Sequence, residues 1–190
     1  MPRLKKYKYE VIDLFCGIGG LSSGLKSRGF SVLAGYDLDQ TCRYAYETNN
    51  EAVFNYRDIK SVTGQEIAEQ YGKKSVKVLV GCAPCQPFSS YAFKNKKKDP
   101  NKYDLLYEFG RLIREVRPDI VAMENVTQIL RFEEKPVLND FLALLEELDY
   151  QYDVQQVYCP DYGIPQTRKR LVVVASRFGN IRLISPTHNK

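Results

Sequence analysis

The sequence has little of what marks exported, membrane-bound or zinc-dependent proteins. Its 190 residues include one histidine, His188, and no early apolar run of the kind a signal peptide or membrane span requires. Repeats, low-complexity segments and an obvious linker are also missing. Hydrophobic residues still make up 44% of the chain, which argues against disorder. We therefore expect one soluble, cytoplasmic domain over residues 1–190.

The cysteines argue against a disulfide framework. There are five of them, at positions 16, 42, 82, 85 and 159. Their number is odd and the sequence shows no export signal, whereas disulfide-bonded domains usually have an even number and are exported. The pair Cys82-x-x-Cys85 also fits a zinc site or a redox pair, and both remain alternatives. Zinc would need a second group of ligands, and His188 lies at the far end of the chain. A redox pair would stand in a thioredoxin-like pattern, whereas Pro87 follows here, so we predict no metal.

Positive charge is mild overall but concentrated in two places. The net charge is +5 and the pI about 8.8, which is compatible with nucleic-acid binding without being diagnostic. Lysines cluster within residues 94–98, and three basic residues occupy 168–170. Each cluster is either a solvated surface or a contact with phosphates.

Strand-like and helix-like apolar patterns alternate, which predicts an α/β domain with a doubly wound, mostly parallel sheet. The predicted strands cover residues 9–15, 31–36, 76–81, 120–123, 151–158 and 171–176. The predicted helices cover about residues 21–28, 40–48, 65–71, 105–116 and 137–148. A long polar loop spans about residues 84–102. The last two strands follow each other without a helix, so we expect a late antiparallel hairpin.

A glycine-rich segment at residues 13–20 joins the first strand to the first helix. Glycines permit a tight turn and let a ligand approach the helix N-terminus, although the segment could equally be a simple turn. Asp37 follows Gly17 by twenty residues, where a carboxylate can accept from both ribose hydroxyls. Ser22 replaces the last glycine of the dinucleotide pattern, which favours a nucleoside cofactor such as S-adenosylmethionine. Asp58 could bind the adenine amino group or simply cap a helix.

A second group of polar residues is predicted at the carboxyl ends of later strands. Cys85 follows Pro84 in a loop where α/β proteins bind ligands, which favours a nucleophilic thiolate over a buried structural cysteine. Glu124 ends the next strand and would suit a general acid towards a ring nitrogen, or else a loop cap. Arg168 and Arg170, in the hairpin turn, could contact a base and phosphates and stabilise the thiolate.

In order and rough spacing, these motifs resemble those of the DNA cytosine-5 methyltransferase family over nearly the whole chain. The matching segments are 13–20, Asp37, Asp58-Ile59, Pro84-Cys85-Gln86, Leu105, Glu124-Asn125-Val126 and Gln166-x-Arg168-x-Arg170. The resemblance implies a Rossmann-like class I fold that uses S-adenosylmethionine. It also implies that a flipped cytosine is attacked at carbon 6 by Cys85 and methylated at carbon 5, while Glu124 acts at N3.

The resemblance also implies a role for each matching residue. Catalytic roles fall to Cys85, Glu124, Arg168 and Arg170. Cofactor contacts fall to Asp13, Phe15, Cys16, Gly17, Ile18, Gly19, Gly20, Asp37, Leu38, Asp58, Ile59, Pro84 and Leu105. DNA contacts fall to Gln86, Ser89, Asn125 and Gln166. The lysines of 94–98 lie where the family has a mobile loop that closes over DNA, which implies further phosphate contacts.

The family normally continues into a target-recognition region and further motifs that this sequence lacks. We therefore expect either a subunit of a split bacterial restriction–modification methyltransferase or a shortened form of a longer chain. Two other functions remain open. A tRNA-methylating branch has a similar Pro-Cys-Gln-Pro-Phe segment, although Ser89 favours DNA. The chain could also be an inactive cofactor-binding module, against which the intact Cys85 and Glu124 argue.

Overall fold

The computed structural model describes residues 8–84, 104–131 and 137–188, which divide into two compact units. The first unit comprises Met1–Gly81 and Leu112–Ile120, and the second comprises Cys82–Arg111 and Val121–Lys190. Within the described ranges, none of the helices has the length and apolar character needed to span a membrane.

Strands and helices alternate along the described residues, as the apolar pattern predicts. The strands are β1 (Tyr9–Leu14), β2 (Ser31–Asp37), β3 (Val53–Tyr56), β4 (Val76–Gly81), β5 (Ile120–Val126), β6 (Gln151–Tyr158) and β7 (Lys169–Ser176). The α-helices are α1 (Gly20–Ser27), α2 (Arg43–Asn50), α3 (Gly64–Ala68), α4 (Asp104–Val116) and α5 (Val137–Glu147). Short 3-10 helices occur at Gln40–Cys42, Ile59–Ser61, Thr127–Arg131 and Cys159–Tyr162.

The first unit contains a parallel sheet with the strand order β3-β2-β1-β4. Val11, Ile12 and Leu14 of β1 have no exposed surface, as expected for a central parallel strand covered on both faces. Because β1 pairs with β2 on one side and β4 on the other, the strand order reverses beside it. The loop that follows β1 therefore lies at the position where open α/β sheets bind ligands.

The second unit contains the late hairpin. β7 lies between β5 and β6, and the β6–β7 pair is antiparallel, from Gln151 opposite Ser176 to Tyr158 opposite Lys169. The rings of Phe109 on α4 and Phe141 on α5 stack with their centroids 5.8 Å apart. The predicted antiparallel hairpin is therefore confirmed.

Two strand boundaries differ from the prediction in ways that matter for the site. β5 continues three residues beyond Met123, so Glu124 lies within the strand rather than at its end. β7 begins at Lys169, so Arg170 is a strand residue opposite Val157 rather than a turn residue. Both errors have one cause: pairing with a neighbouring strand sets where a strand ends, and charged side chains at these positions do not prevent it.

Candidate active site

The loop after β1 has a backbone that glycine adopts most easily. Gly17 and Gly19 have φ angles of 50° and 87°, and Phe15, with φ 59°, also lies in the left-handed region. A Cβ at Gly19 would lie 2.8 Å from Cδ2 of Tyr46 and would overlap the side-chain amide of Asn50. Gly19 is also the N-cap of α1, where no side chain caps the helix. The predicted strand-to-helix turn is confirmed, and Gly19 is required there by both conformation and space.

Asp37 lies against this loop, as its spacing from Gly17 suggests. Its Oδ2 accepts a hydrogen bond from the backbone N–H of Gly17 at 2.8 Å, and its Oδ1 accepts from that of Asp39 at 2.9 Å. A carboxylate can accept about four hydrogen bonds, so these two hold its orientation and leave capacity for ligand hydroxyls.

The surroundings of Asp37 fit an adenosine-containing ligand. Ile18 and Leu38 are 64% and 62% exposed, although both are large apolar residues, and they flank the Gly17–Asp37 hydrogen bond along the chain. Apolar surface of this kind suits the flat face of a base, and the carboxylate suits the ribose hydroxyls. The residues present therefore fit the predicted S-adenosylmethionine, and the individual cofactor contacts stay predictions.

Asp13 lies beneath the loop rather than on its surface. It has no exposed surface, and its Oδ2 accepts a hydrogen bond from the hydroxyl of Ser22 at 2.7 Å. The Ser22 hydroxyl lies 3.1 Å from the hydroxyl of Tyr46, which is also fully buried. Burial raises the pKa of Asp13 from 3.8 to about 7, because the hydrogen bond from Ser22 offsets only part of the desolvation. In this position the Asp13 side chain ties β1 to α1 and α2.

The raised pKa of Asp13 predicts a loss of stability with rising pH. The folded state retains a proton that the unfolded state releases near pH 3.8, so this stabilisation is lost as the pH rises through about 7. The full shift corresponds to roughly 4 kcal/mol, of which about 2–3 kcal/mol falls between about pH 5 and pH 8. Asp13→Asn cannot ionise and should lack this slope in urea unfolding. Parallel pH profiles for the two proteins would contradict the prediction.

Other predicted cofactor residues are at least partly buried or already hydrogen-bonded within the protein. Cys16 is buried, and burial raises the pKa of its thiol, which disfavours a reactive thiolate. Asp58 caps the 3-10 helix that follows it by accepting from the N–H of Lys60 at 3.0 Å, and Ile59 is buried. The alternative of a capping role for Asp58 is thus present in the structure, and its adenine contact stays a prediction. Leu105 lies half-buried near the start of α4.

In the second unit, the structure brings together three of the predicted catalytic residues. Arg170 Nε lies 2.8 Å from Glu124 Oε1, and Arg168 Nη2 lies 3.5 Å from the same oxygen. Glu124 lies on β5, Arg170 lies on β7 and Arg168 directly precedes β7. Glu124 and Arg170 are only partly exposed, at 30% and 24%. The two arginines fix the position of the carboxylate and leave the cluster with a net positive charge.

Asn125 links this cluster to the segment that precedes Cys85. Its side-chain Nδ2 donates to the backbone carbonyl of Ala83 at 3.1 Å, and its Oδ1 accepts from the N–H of Val126 at 2.8 Å. Asn125 is 3% exposed, so both ends of its amide are used inside the protein. Its DNA contact stays a prediction, and the hydrogen bond to Ala83 indicates a role in holding the chain two residues before Cys85.

Several predicted residues lie outside the described residues. They are Cys85, Gln86, Ser89 and the lysines of 94–98. Pro84 is the last described residue before them and is exposed, and Gln166 is also exposed. Among the side chains that the structure describes, no group of three or more His, Cys, Asp or Glu residues could hold a metal ion. Cys16, Cys42, Cys82 and Cys159 form no disulfides.

Some residues of the site were not predicted from the sequence. Ser22 was noted only because it replaces a glycine of the dinucleotide pattern, and Tyr46 was not noted, since neither residue belongs to a recognisable motif. Lys169 was noted only as one of three basic residues and Tyr158 only as part of a strand, whereas the Lys169 ammonium lies 5.5 Å from the centre of the Tyr158 ring. The alternation of side chains along β7 would separate Lys169 from Arg168 and Arg170, but only once the strand start is known.

Comparison with known proteins gives a consistent result. The sequence profile of the family described as C-5 cytosine-specific DNA methylase matches residues 9–190. The chain is 51% identical over 178 residues to the Type II methylase M.HgiDII of Herpetosiphon aurantiacus, covering 94% of this chain and 50% of that protein. It is 34% identical over 173 residues to the Type II methyltransferase M.AgeI of Thalassovita gelatinovora, covering 90% and 40%.

A solved structure supports the same fold. It is described as a DNA modification methyltransferase encoded within an E. coli prophage, with a TM-score of 0.76 and 28% identity. The match covers 89% of this chain and 47% of that one. The predicted Rossmann-like α/β fold is therefore confirmed. The chain spans about half the length of the relatives that it matches.

Proposed function

Since the chain belongs to the family of C-5 cytosine-specific DNA methylases, we propose that it methylates carbon 5 of cytosine in DNA, with S-adenosylmethionine as the donor. The observation that carries the proposal is the cluster in the second unit. Glu124 is held there by Arg168 and Arg170. The side chain of the neighbouring Asn125 donates a hydrogen bond to the backbone carbonyl of Ala83, which directly precedes Pro84 and Cys85. A nucleophile, a carboxylate and cations are the groups that this chemistry needs.

In the proposed reaction, Cys85 and Glu124 each have a role that suits the chemistry of the side chain. The target base leaves the duplex, because its ring is otherwise out of reach. The Cys85 thiolate adds to carbon 6, and electron density moves towards carbon 5. Glu124 holds a proton or a hydrogen bond at N3, which stabilises the charge that this addition creates. After carbon 5 has accepted the methyl group, removal of its proton and elimination of Cys85 restore the ring.

The first unit supplies most of the cofactor residues of the proposal, all except Pro84 and Leu105. Asp37 would accept from the ribose hydroxyls, while Ile18 and Leu38 would pack on the base. Asp58 would add an acceptor for the adenine amino group. S-adenosylmethionine, when bound, supplies the methyl group that carbon 5 accepts.

The relatives point to the biological setting of the proposal. M.HgiDII and M.AgeI carry Type II names, which supports a place in a bacterial restriction–modification system, in the cytoplasm. Because the chain spans about half of their length, we further propose that full activity and site recognition require a partner chain or segment. That partner would carry the target-recognition region.

A methyl-transfer assay tests the proposal directly. The chain is incubated with tritiated S-adenosylmethionine and either duplex DNA or tRNA, alone and with the added C-terminal half of M.HgiDII. We expect label only in DNA, recovered as 5-methyldeoxycytidine, and more of it when the second half is added. Label in tRNA would favour the tRNA-methylating alternative. Absence of label together with absence of S-adenosylhomocysteine binding in calorimetry would favour an inactive module.

A further inference from the structure

A polar pocket of about 670 Å³ lies in the second unit, next to the Glu124 cluster. It is lined by Thr127 and Gln128 after β5, by Tyr158 at the end of β6, and by the segment 166–170. None of these lining residues carries a carboxylate, while three of them are cations. The pocket is therefore suited to an anion.

The three consecutive basic residues of the pocket are not equivalent. Arg168 and Arg170 both pair with Glu124, so their charge is partly compensated. Lys169 is the first residue of β7, and its ammonium lies over the ring of Tyr158 instead. Among the described residues, no carboxylate lies within ion-pair distance of Lys169. Within the part of the chain that the structure describes, it is consequently the cation of the pocket whose charge no carboxylate compensates.

Tyr158 holds Lys169 in place. The two residues are directly opposite each other in the β6–β7 ladder, and the ammonium lies 5.5 Å from the centre of the ring. The backbone N–H of Cys159 also donates to the carbonyl of Arg168 at 2.9 Å, which closes the two strand ends together. Lys169 therefore projects from a supported position rather than from a free loop.

We propose that this pocket binds a backbone phosphate of the nucleic-acid strand that carries the target base. Lys169 supplies the charge, and the hydroxyls of Thr127 and Thr167 and the amide of Gln128 supply neutral donors to the phosphate oxygens. This assignment rests on the proposed function, and it gives the three basic residues 168–170 different roles. The arginines hold Glu124, and the lysine between them binds the phosphate.

The salt dependence of DNA binding tests the proposal. The full chain and Lys169→Gln are titrated with a duplex of mixed sequence over a range of salt concentrations, since a phosphate contact does not require the target site. Loss of one phosphate contact should reduce the slope of log K against log salt by about 0.9. It should weaken binding by about 8-fold near 0.1 M salt, with the two proteins converging at high salt.

Two further variants separate a contact from a general effect of charge. Arg182→Gln removes the same charge from an exposed residue of the same unit that does not line the pocket, and its slope should stay at the wild-type value. Tyr158→Leu keeps the charge but removes the ring that orients it, so we expect binding about 2–5-fold weaker with an unchanged slope. A wild-type salt slope for Lys169→Gln, or an equal reduction of the slope for Arg182→Gln, would overturn the phosphate assignment and leave the proposed function unaffected. Failure of the wild-type chain to bind DNA, even with the C-terminal half of M.HgiDII added, would overturn the proposed function as well.

Discussion

Cys85→Ala is expected to abolish the covalent complex with DNA that contains 5-fluorocytosine. Once carbon 5 has accepted a methyl group from S-adenosylmethionine, it carries fluorine in place of the proton that must be removed. The thiolate at carbon 6 therefore cannot be eliminated, and the enzyme stays attached to the base. Alanine offers no nucleophile, so no adduct should form. Methyl transfer to ordinary DNA should fall by a factor on the order of 10⁶, the scale seen when other covalent nucleophiles are removed. Gel electrophoresis under denaturing conditions detects the adduct.

Cys82→Ala is the matched control for this experiment, because it makes the same chemical change three residues earlier. We expect it to form the adduct at the wild-type level, since Cys82 belongs to no step of the proposed reaction. An adduct that persists in Cys85→Ala, or one that is lost only in Cys82→Ala, would show that Cys85 is not the nucleophile. All reactions include the C-terminal half of M.HgiDII, so that a missing partner does not mask the result.

Glu124→Gln is expected to reduce the rate of methyl transfer by about 10²–10⁴-fold, the usual contribution of a positioned acid or base. Glutamine is similar in size but cannot transfer a proton to N3 or carry the charge that pairs with Arg168 and Arg170. Its effect should appear in single-turnover methyl transfer and equally in the rate of adduct formation. Both measurements report the step in which the ring accepts the thiolate.

Glu108→Gln provides a control with a comparable ion pair. Glu108 lies 2.7 Å from Arg111 in the same unit, and the two side chains are 25% and 32% exposed, close to the values for Glu124 and Arg170. Any loss of activity that follows simply from breaking a Glu–Arg pair should therefore appear in this variant too. We expect Glu108→Gln to keep wild-type rates. Activity of Glu124→Gln within about threefold of wild type would remove Glu124 from the mechanism.

Local patterns were sufficient to predict most of the α/β architecture. The β4 strand was predicted at residues 76–81 and is observed as Val76–Gly81, because a short, continuous apolar run between turn residues has few other solutions. The antiparallel hairpin was predicted because no helix separates its strands. The ends of β5 and β7 were not predicted correctly, since they depend on pairing with strands elsewhere in the chain.

The motifs of the candidate site were also readable from the sequence, but several side-chain roles were not. Asp37 was placed correctly beside the glycine loop by its spacing, since the order β1-α1-β2 determines that distance. Asp13 and Asn125 matched family motifs equally well, yet both are buried and bonded within the protein. A motif states which residue is present and does not state which way its side chain points.

By itself, the sequence determined the fold class, the family and the identity of the chemical groups, because these depend on local periodicity and on the order of motifs along the chain. Only the tertiary structure decided how those groups are used. It joined Glu124 to Arg168 across 44 residues and Asn125 to Ala83 across 42, and it left Lys169 facing Tyr158 instead. The physical reason is that burial, ion pairing and strand register are set by segments distant in sequence, which no local pattern encodes.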